Sequence, residues 1–493
     1  MNFLLRTLRL GSLFFFLLPL RSLSATTNEA IARATAAIAA AAPRAQADPA
    51  RPIFHVTAPA QWINDPNGPI FYKGFYHLFY QLHPFSDGGG PKYWGHVRSR
   101  DLAKWEPLPV ALWPSTEAGE AEVWSGCCTI NSLGQPMCFY TSIGPDKSAF
   151  DHADQWAAIG DDDLIQWGKS PANPVLSEAL NGGKKIYDWR DPFIFQDHKK
   201  TFLVTGGHMA KERQAAVNLY EAENPELTKW KHRGVLFEHP DAGAATVECP
   251  NFFKLDDQWV LFVSPYGQVQ YFVGDFDAAT GRFQARTRGV LDYGSSFYAP
   301  NTMQVPDERR LVWGWVKDFP GGHGWNGCLS LPRQLSLSRE GMLRQNPAPQ
   351  LSKLRGQKAE WRNVRLENGG AILPLPKTNT LEIGVEIDLQ TAASVELRFK
   401  SGAPDGRTIS VNFSGSELKV MDAKAPLSLA KGGRKLSLRI FFDRLVMEVF
   451  ANETVCVTKT IRPLEANASL EIRAAGGNAK AKLIQAWPMK TIW

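Results

Sequence analysis

Asp101-Leu102-Ala103-Lys104-Trp105, written DLAKW, returns as DLIQW at residues 163–167 and, in altered form, as PELTKW at residues 225–230. The final tryptophans of these stretches are 62 and 63 residues apart. A repeat of this length is typical of a β-propeller with rather long blades. From residue 52 to residue 352, short apolar and aromatic segments alternate with turn residues, without long helical patterns between them. This pattern indicates an all-β structure, and about 300 residues in repeats of about 60 predict a five-bladed β-propeller.

Residues 358–493 predict a second unit. Apolar and polar residues alternate there again, for example at residues 381–389, 394–400 and 436–442. Alternation with this period is typical of strands that bury one face. A chain of 493 residues also exceeds what one hydrophobic core usually serves. We therefore expect two domains, a propeller at residues 52–352 and a C-terminal β-sandwich at residues 358–493.

The N-terminal residues have the pattern of a secretory signal peptide at residues 1–25. Arg6 and Arg9 precede an apolar run at residues 10–20, and small residues lead to Ala25. The alternative is a membrane anchor, but this run is much shorter than the roughly 20 residues that span a bilayer. We expect cleavage after Ala25, secretion to the periplasm or the medium, and no membrane attachment afterwards. Residues 26–51 are Ala-rich and predict a short helix and a linker, closed by prolines at positions 43 and 49.

The charge pattern argues against a nucleic-acid partner. The formal net charge is +6, and no run of five or more Lys and Arg residues concentrates it. Such basic patches are the usual footprint of nucleic-acid binding. The six cysteines have no spacing typical of metal ligands. In an oxidising compartment, Cys127 or Cys128 could instead pair with Cys138 across a hairpin.

Three carboxylates stand among Pro, Gly, Trp or Arg instead of on a charged surface. They are Asp65 in WINDPNG at residues 62–68, Asp191 in WRDP at residues 189–192 and Glu248 in VECP at residues 247–250. Taken alone, each has an ordinary interpretation: a turn, a structural ion pair and an exposed acid. On separate blades of a propeller, however, the three could converge at its axis. Desolvation there would raise the pKa of Glu248 toward that of a general acid.

Glycoside hydrolysis needs two such carboxylates with opposed protonation preferences. In a retaining enzyme, one attacks the anomeric carbon while the other protonates the departing oxygen. The three motifs, in this order and spacing, closely resemble the signatures of glycoside hydrolase family 32, the group of invertases, levanases and inulinases. The resemblance extends from about residue 52 to the end of the chain. It implies a five-bladed propeller with an axial funnel, a C-terminal sandwich, and neither a metal nor an organic cofactor.

The resemblance also implies roles for individual residues. Asp65 would be the nucleophile, Glu248 the acid that later serves as base, and Asp191 the transition-state stabiliser, with Arg190 orienting Asp191 and tuning Glu248. Asn251 departs from the aspartate that many relatives carry, and the missing negative charge would lower the pKa of Glu248. The substrate pocket would be lined by Trp62, Asn64, Gln81, Trp94, Trp124, Ser125 and Trp315.

The resulting hypothesis is a secreted retaining β-fructofuranosidase that acts on sucrose or on a β-linked fructan such as levan or inulin. One alternative is a fructosyltransferase on the same scaffold, in which a sugar hydroxyl takes the place of water. Another is a non-catalytic fructan-binding protein, although a binding protein would not need an acid opposed to a nucleophile. The oligomeric state and the choice among the three substrates stay open at this stage.

Overall fold

The computed structural model describes residues 21–148, 153–209, 214–367, 370–401, 408–429 and 433–493, with side chains from residue 29 onward. The predicted signal peptide falls mainly on residues 1–20, which lie outside the described residues. One long helix, α1 (Arg21–Ala47), comes first, and strands form most of the remainder. Short 3-10 helices lie at Thr116–Ala118, Glu178–Asn181 and Pro349–Leu354. The chain is therefore mostly β, as its sequence predicts.

Five antiparallel sheets follow one another along residues 61–347 of the described chain. The first contains β1 (Gln61–Tyr72), β2 (Phe75–His83), β3 (Tyr93–Ser99) and β4 (Trp105–Leu112). The second contains β5 (Glu122–Ile130), β6 (Pro136–Ile143), β7 (Ala153–Gly160) and β8 (Trp167–Lys169). The third contains β9 (Ile186–Asp197), β10 (Lys200–Met209), β11 (Gln214–Ala222) and β12 (Trp230–Glu238). The fourth contains β13 (Glu248–Leu255), β14 (Gln258–Ser264), β15 (Gln270–Asp277) and β16 (Arg282–Val290).

The fifth sheet also contacts the first sheet. Its strands are β17 (Phe297–Gln304), β18 (Arg310–Val316), β20 (Cys328–Leu329), β21 (Arg333–Leu337) and β22 (Leu343–Pro347). Between β18 and β20, the short strand β19 (Trp325–Asn326) leaves this sheet and pairs in parallel with β1. The first strands of the five sheets, β1, β5, β9, β13 and β17, contact one another in chain order, and β17 contacts β1. These five strands, called the inner strands below, are thus neighbours around a closed circuit.

The repeated tryptophans mark one position in three successive sheets. Trp105, Trp167 and Trp230 each begin the fourth strand of their sheet. Each indole N–H donates to the carbonyl oxygen of the leucine three positions earlier, at 3.3, 2.9 and 3.0 Å. Those leucines have φ of 59°, 58° and 57°, a left-handed conformation that a leucine rarely adopts. The repeat therefore encodes a turn that leads into the outermost strand, and its spacing is the spacing of the sheets.

The C-terminal part is a sandwich of two six-stranded sheets. One has the order β23 (Ala359–Leu366), β34 (Ala479–Pro488), β25 (Thr380–Asp388), β30 (Lys435–Asp443), β31 (Val446–Ala451) and β32 (Val455–Thr460). The other has the order β24 (Ala371–Pro374), β33 (Ser469–Ala475), β26 (Ser394–Lys400), β27 (Thr408–Ser414), β28 (Glu417–Val420) and β29 (Ala423–Pro426). Alternate residues of both sheets point inward and form one apolar core, in which Phe399 and Phe442 meet edge to face at 4.9 Å.

The N-terminal helix is longer than the sequence predicts. We expected a short helix closed by Pro43, but α1 continues through Pro43 to Ala47. A proline costs most where its missing N–H would have joined the helix ladder. Here packing stabilises the helix on both sides of Pro43, because Ala34 and Ala45 are fully buried in apolar clusters that include residues of the first and fifth sheets. Within the described residues, no helix has both the length and the apolar character needed to cross a membrane.

One of the two disulfides predicted across the hairpin of β5 and β6 is present. Cys128 and Cys138 lie directly opposite each other on β5 and β6 and form a disulfide. Cys127 points to the other face of β5, as the alternation of a strand requires, and stays a buried thiol. Cys249, Cys328 and Cys456 are also buried thiols.

Candidate active site

An irregularity interrupts the pairing of every inner strand at corresponding positions. The register between the first and second strands shifts at 63–66, 123–126, 190–193, 248–251 and 298–301. A β-bulge turns side chains out of the regular alternation and increases the local twist. Asp191 and Cys249 take left-handed φ angles of 60° and 46° at these points. All three predicted catalytic carboxylates lie within or at the edge of these bulges.

Asp65 is held by neutral donors. Its Oδ2 accepts a hydrogen bond from the Ser125 hydroxyl at 2.7 Å, and its Oδ1 accepts one from the Asn64 amide at 3.1 Å. Gln81 connects these two donors, because its amide donates to Ser125 Oγ at 2.7 Å and its carbonyl oxygen accepts from Asn64. Four of the predicted site residues thus form one hydrogen-bonded group. It orients the Asp65 carboxylate, which remains partly exposed.

Asp191 is joined to the strand that carries Glu248. Its Oδ2 accepts a hydrogen bond from the backbone N–H of Cys249 at 2.8 Å, and its own N–H donates to the Thr141 hydroxyl at 2.8 Å. The Cys249 thiol lies 3.6 Å from Asp191 Oδ2 and 3.7 Å from Asp65 Oδ2. Cys249 therefore sits between two of the carboxylates. Burial is the main cause that raises the pKa of this thiol, so it stays protonated and can donate to them.

Glu248 contacts a cation and a phenol. Arg190 Nη2 lies 2.5 Å from Glu248 Oε1, and the Tyr298 hydroxyl donates to Oε2 at 2.5 Å. Arg190 also lies 3.8 Å from Asp191 and donates to the Tyr266 hydroxyl at 2.5 Å. Burial opposes the charge of Arg190, but the carboxylates of Glu248 and Asp191 outweigh it and raise its pKa, so the side chain remains cationic. Arg190 is thus the positive centre of the site.

The pKa values of Asp65 and Glu248 are both raised, but to different extents. Desolvation is the largest cause that raises the pKa of Asp65 to about 6, and the Ser125 hydrogen bond opposes it. Desolvation likewise is the largest cause that raises the pKa of Glu248 to about 7. The charge of Arg190 lowers this pKa, and the charge of Asp191 raises it. The pKa of Asp191 is also raised by burial. Near neutral pH, Asp65 therefore loses its proton before Glu248 does, an arrangement suited to a nucleophile and an acid.

Aromatic side chains surround the carboxylates. Trp62 and Trp315 meet edge to face with 5.9 Å between ring centres, and Lys92 lies 4.6 Å from the centre of the Trp62 ring. Trp124 is partly exposed, and the guanidinium of Arg190 lies 5.6 Å from its ring centre. A cavity of about 520 Å³ opens beside Tyr298, the donor to Glu248, and extends to residues of the sandwich. It is lined by Tyr266, Tyr298, Trp315, Lys317, Asp422 and Lys459 among others.

One predicted pocket residue lies elsewhere. Trp94 is fully buried among Phe79, Tyr140 and their neighbours, and its indole N–H donates to the Trp124 carbonyl oxygen at 2.9 Å. It has no exposed surface to offer a sugar, so the prediction that it lines the pocket is corrected. Its position is explained by the strand alternation of β3, which turns it into the apolar space between the first and second sheets.

Three site residues were not assigned by sequence reasoning. Tyr266 and Tyr298 lie far from the acidic motifs in sequence, and Lys92 comes from a Gly-rich segment without an acidic motif. The acidic motifs carry no signal for Tyr298, because its contact with Glu248 joins residues that are 50 positions apart in the sequence. Among the described residues, no group of three or more His, Cys, Asp or Glu side chains is arranged to hold a metal ion.

Comparison with known families decides the class of the protein. The model described as "Glycosyl hydrolases family 32 N-terminal domain" matches residues 55–347, and "Glycosyl hydrolases family 32 C terminal" matches residues 350–488. The chain belongs to glycosyl hydrolase family 32. The predicted resemblance is thereby confirmed, and this member of family 32 is a glycoside hydrolase.

Its similarity to other members of family 32 extends over most of the chain. A levanase of Bacillus subtilis is 30% identical over 499 aligned positions, which cover 90% of this chain and 71% of the levanase. A sucrose-6-phosphate hydrolase of the same species is 29% identical, and the match covers 83% of this chain and 88% of that enzyme. Among solved structures, a beta-fructofuranosidase of Bombyx mori superposes with a TM-score of 0.77 at 26% identity, covering 96% of this chain and 99% of that one.

Proposed function

We propose that this family 32 member is a retaining β-fructofuranosidase that releases fructose from sucrose or from a β-linked fructan. The observation that carries the proposal is the pair Asp65 and Glu248, two partly exposed carboxylates with pKa values of about 6 and about 7. Relatives named as a levanase and as a sucrose-6-phosphate hydrolase support a fructoside as the substrate. The bond attacked is then the one at the anomeric C2 of the fructosyl group.

In the first step, an oxygen of Asp65 attacks C2 while Glu248 gives its proton to the glycosidic oxygen. The C2–oxygen bond breaks, the leaving sugar departs as an alcohol, and a fructosyl ester remains on Asp65. In the second step, Glu248 takes a proton from water, the water oxygen attacks C2, and Asp65 is released as a carboxylate. Arg190, 2.5 Å from Glu248, stabilises the carboxylate that forms when Glu248 loses its proton.

The remaining site residues bind and orient the fructosyl group. Asp191 uses Oδ2 to accept the Cys249 N–H, and its Oδ1 accepts no hydrogen bond from the described residues, which leaves Oδ1 for sugar hydroxyls. Asn64, Gln81 and Ser125 hold Asp65 in place through the hydrogen bonds described above. We place the leaving sugar in the cavity of about 520 Å³ beside Tyr298, with Tyr266 and Trp315 as aromatic walls.

We further infer that the five sheets are the blades of a propeller at residues 52–352 and that the sandwich is a separate domain at residues 358–493. The closed circuit of inner strands supports the first inference, and the separate apolar core of the sandwich supports the second. We also propose that residues 1–25 direct secretion. Protein recovered from the periplasm or the medium is expected to have Thr26 as its first residue, as determined by N-terminal sequencing. Retention of the protein inside the cell would contradict the proposed secretion.

The test of function is a time course of sugars released from sucrose, inulin and levan. Fructose is expected from at least one of them, and Asp65→Asn is expected to release none. Nuclear magnetic resonance at early times should show β-fructofuranose first, because two inversions retain the configuration. Initial release of the α anomer would contradict a retaining mechanism. Longer transfer products would favour a fructosyltransferase, and binding without turnover by folded protein would favour a fructan-binding protein.

A further inference from the structure

A second cavity lies farther along the same five inner strands. It has a volume of about 300 Å³ and is lined by residues 69–71, 127–130, 193–196, 252–254 and 301–304, together with Trp259 and Arg310. On every inner strand, these residues follow the active-site residue in sequence, by two to six positions. The strands advance about 3.3 Å per residue. The second cavity, called the distal cavity below, is therefore separate from the active site and lies toward the other end of the inner strands.

The distal cavity contains a buried arginine without a counter-ion. Arg310 is 8% exposed, and the described residues that accept its hydrogen bonds are both neutral. Its Nη1 donates to the Thr302 hydroxyl at 3.1 Å and its Nη2 to Gln304 Oε1 at 3.4 Å, while its Nε has no partner. The guanidinium lies 4.2 Å from the ring centre of Phe253. Two neutral acceptors and one ring face leave most of this charge uncompensated.

An uncompensated buried charge is strongly unfavourable. Desolvation lowers the pKa of Arg310 to about 9, and at neutral pH the side chain still carries its charge. The lining of the distal cavity includes a second cation, Lys254, and no Asp or Glu. Lys254 is about half exposed, and its one ion-pair partner among the described residues is Asp257, which is almost fully exposed. Exposed Gln196, Lys254 and Gln304 stand where the cavity meets solvent.

We propose that the distal cavity binds a small oxyanion, a phosphate or a carboxylate, with Arg310 as its principal ligand and Lys254 at its entrance. The planar fork of a guanidinium matches both kinds of anion with two parallel hydrogen bonds. The unpartnered Nε and the weakly bonded Nη2 are the donors that such an anion would satisfy. The N–H and hydroxyl of Thr302 already donate to Asn251 Oδ1, so the amide of Gln304 is the further donor along the wall. The site is independent of the proposed action on fructosides.

The test measures thermal unfolding and calorimetric binding of the full chain with inorganic phosphate and with succinate, each against sodium chloride of the same ionic strength. We expect at least one oxyanion to raise the unfolding temperature above the chloride value. Arg310→Met is expected to weaken the binding of that oxyanion at least tenfold. Without added oxyanion, Arg310→Met should unfold at the same or a higher temperature than the wild type, because it removes a buried unpaired charge.

Two further variants distinguish the site from a general charge effect. Lys254→Gln, at the surface, should weaken oxyanion binding severalfold without changing the fold. Arg286→Gln removes an equally cationic but exposed side chain on β16 and should leave binding unchanged. Equal stabilisation of wild type and Arg310→Met by the oxyanions would overturn the proposal, as would no difference between either oxyanion and chloride. A phosphate response without a succinate response, or the reverse, identifies which anion the site takes.

Discussion

At the scale of single residues, Asp65 and Glu248 share desolvation but differ in their partners. Asp65 accepts hydrogen bonds from neutral side chains, whereas Glu248 faces Arg190 and the Tyr298 hydroxyl and lies within the fields of Asp191 and Asp65. The result is a pKa of about 6 for Asp65 and about 7 for Glu248. The proposed mechanism needs Asp65 ionised and Glu248 protonated, so only a limited pH range satisfies both conditions.

We predict a bell-shaped pH dependence with its maximum between about pH 6 and about pH 7. As the pH falls through the pKa of Asp65, the nucleophile becomes protonated, and as the pH rises through that of Glu248, the acid loses its proton. Initial rates of sugar release at low substrate concentration, measured across the pH range, give kcat/KM. A profile that stays flat down to about pH 4 would exclude the raised pKa of Asp65.

Tyr298→Phe should move the basic limb of this profile to higher pH. The hydroxyl donates to Glu248 Oε2 at 2.5 Å, and losing a hydrogen bond to the charged form raises the pKa of the carboxyl. The expected shift is about one pH unit, from a charge-assisted bond worth about 1.5 kcal/mol. Tyr266→Phe is the matched control, because its hydroxyl contacts Arg190 and not Glu248. Equal shifts in both variants would contradict the assignment.

Asn251→Asp should destabilise the protein. The Asn251 amide donates to the carbonyl oxygens of Cys249 and Pro300 at 3.2 and 3.0 Å, while its oxygen accepts from the N–H and hydroxyl of Thr302. An aspartate would place a carboxylate oxygen against two carbonyl oxygens, at a cost of about 1–3 kcal/mol. Chemical unfolding of the variant measures this loss. Asn478→Asp, an equal charge change at an exposed position, should unfold like the wild type.

The same variant tests the prediction that the missing charge at position 251 lowers the pKa of Glu248. An ionised aspartate there would raise that pKa and move the basic limb upward. An unchanged profile would contradict the prediction. The hydrogen bonds of Asn251 supply a separate reason for asparagine at this position, since only an amide can both donate to two carbonyls and accept from Thr302.

At the scale of the elements, the inner strands position the site through their bulges. Ser125 is directed to Asp65 because the following residue, Gly126, packs tightly against β6. A Cβ atom on Gly126 would lie 1.9 Å from the Phe139 carbonyl oxygen and 2.7 Å from Tyr140 Cα. These are backbone atoms of a central strand, so they cannot yield without separating β5 from β6.

Gly126→Ala should therefore cost about 3 kcal/mol or more in the free energy of unfolding and abolish sugar release. Gly168→Ala is its control in the same sheet, because a Cβ there meets no atom within 4 Å and its backbone is not left-handed. Unfolding by urea compares the two variants. A Gly126→Ala protein as stable and active as Gly168→Ala would show that the bulge does not position Ser125.

At the scale of the whole molecule, a buried ionic cluster joins the five-sheet part to the sandwich. Asp443 on β30 accepts the backbone N–H groups of residues 53–55 and contacts His55 Nδ1 at 2.8 Å. Glu448 on β31 contacts His55 Nε2 at 3.1 Å and Arg333 at 2.7 Å. These four side chains are essentially inaccessible to solvent. The relative position of the two parts therefore depends on the charges of this cluster.

We predict that the cluster makes stability depend on pH. Burial opposes protonation of His55, but the hydrogen bonds and charges of Asp443 and Glu448 outweigh it and raise its pKa to about 9. Since this pKa lies above the unfolded value of 6.5, the stabilisation is complete below about pH 6.5 and is lost as the pH rises through about 9. The corresponding free energy is about 3 kcal/mol.

Guanidinium unfolding on the two sides of this pH range measures the effect. The wild type should lose about 3 kcal/mol more than His55→Gln on going to high pH, because the variant has no imidazole to deprotonate. His198→Gln removes an exposed histidine and should follow the wild type. Identical pH dependence in wild type and His55→Gln would show that His55 is not charged in the folded protein.

The sequence by itself determined the local chemistry and its repetition. The spaced DLAKW-type stretches determined where the outermost strands of three sheets begin, because their leucine and tryptophan form a local turn. Short-range motifs also indicated Asp65, Asp191 and Glu248 as candidates, since a proline one or two positions after an acid is visible in the sequence. The alternation at residues 381–389 likewise indicated a strand with one buried face.

Only the tertiary structure decided what depends on contacts between distant residues. Whether Trp94 would face the pocket or the core depended on which side of β3 packs against the second sheet. Tyr298 reaches Glu248 from another inner strand, and the unpaired charge of Arg310 emerges only when the lining of the distal cavity is assembled. A side chain's type and local strand phase are properties of the sequence, but its burial, its partners and hence its pKa are created by packing.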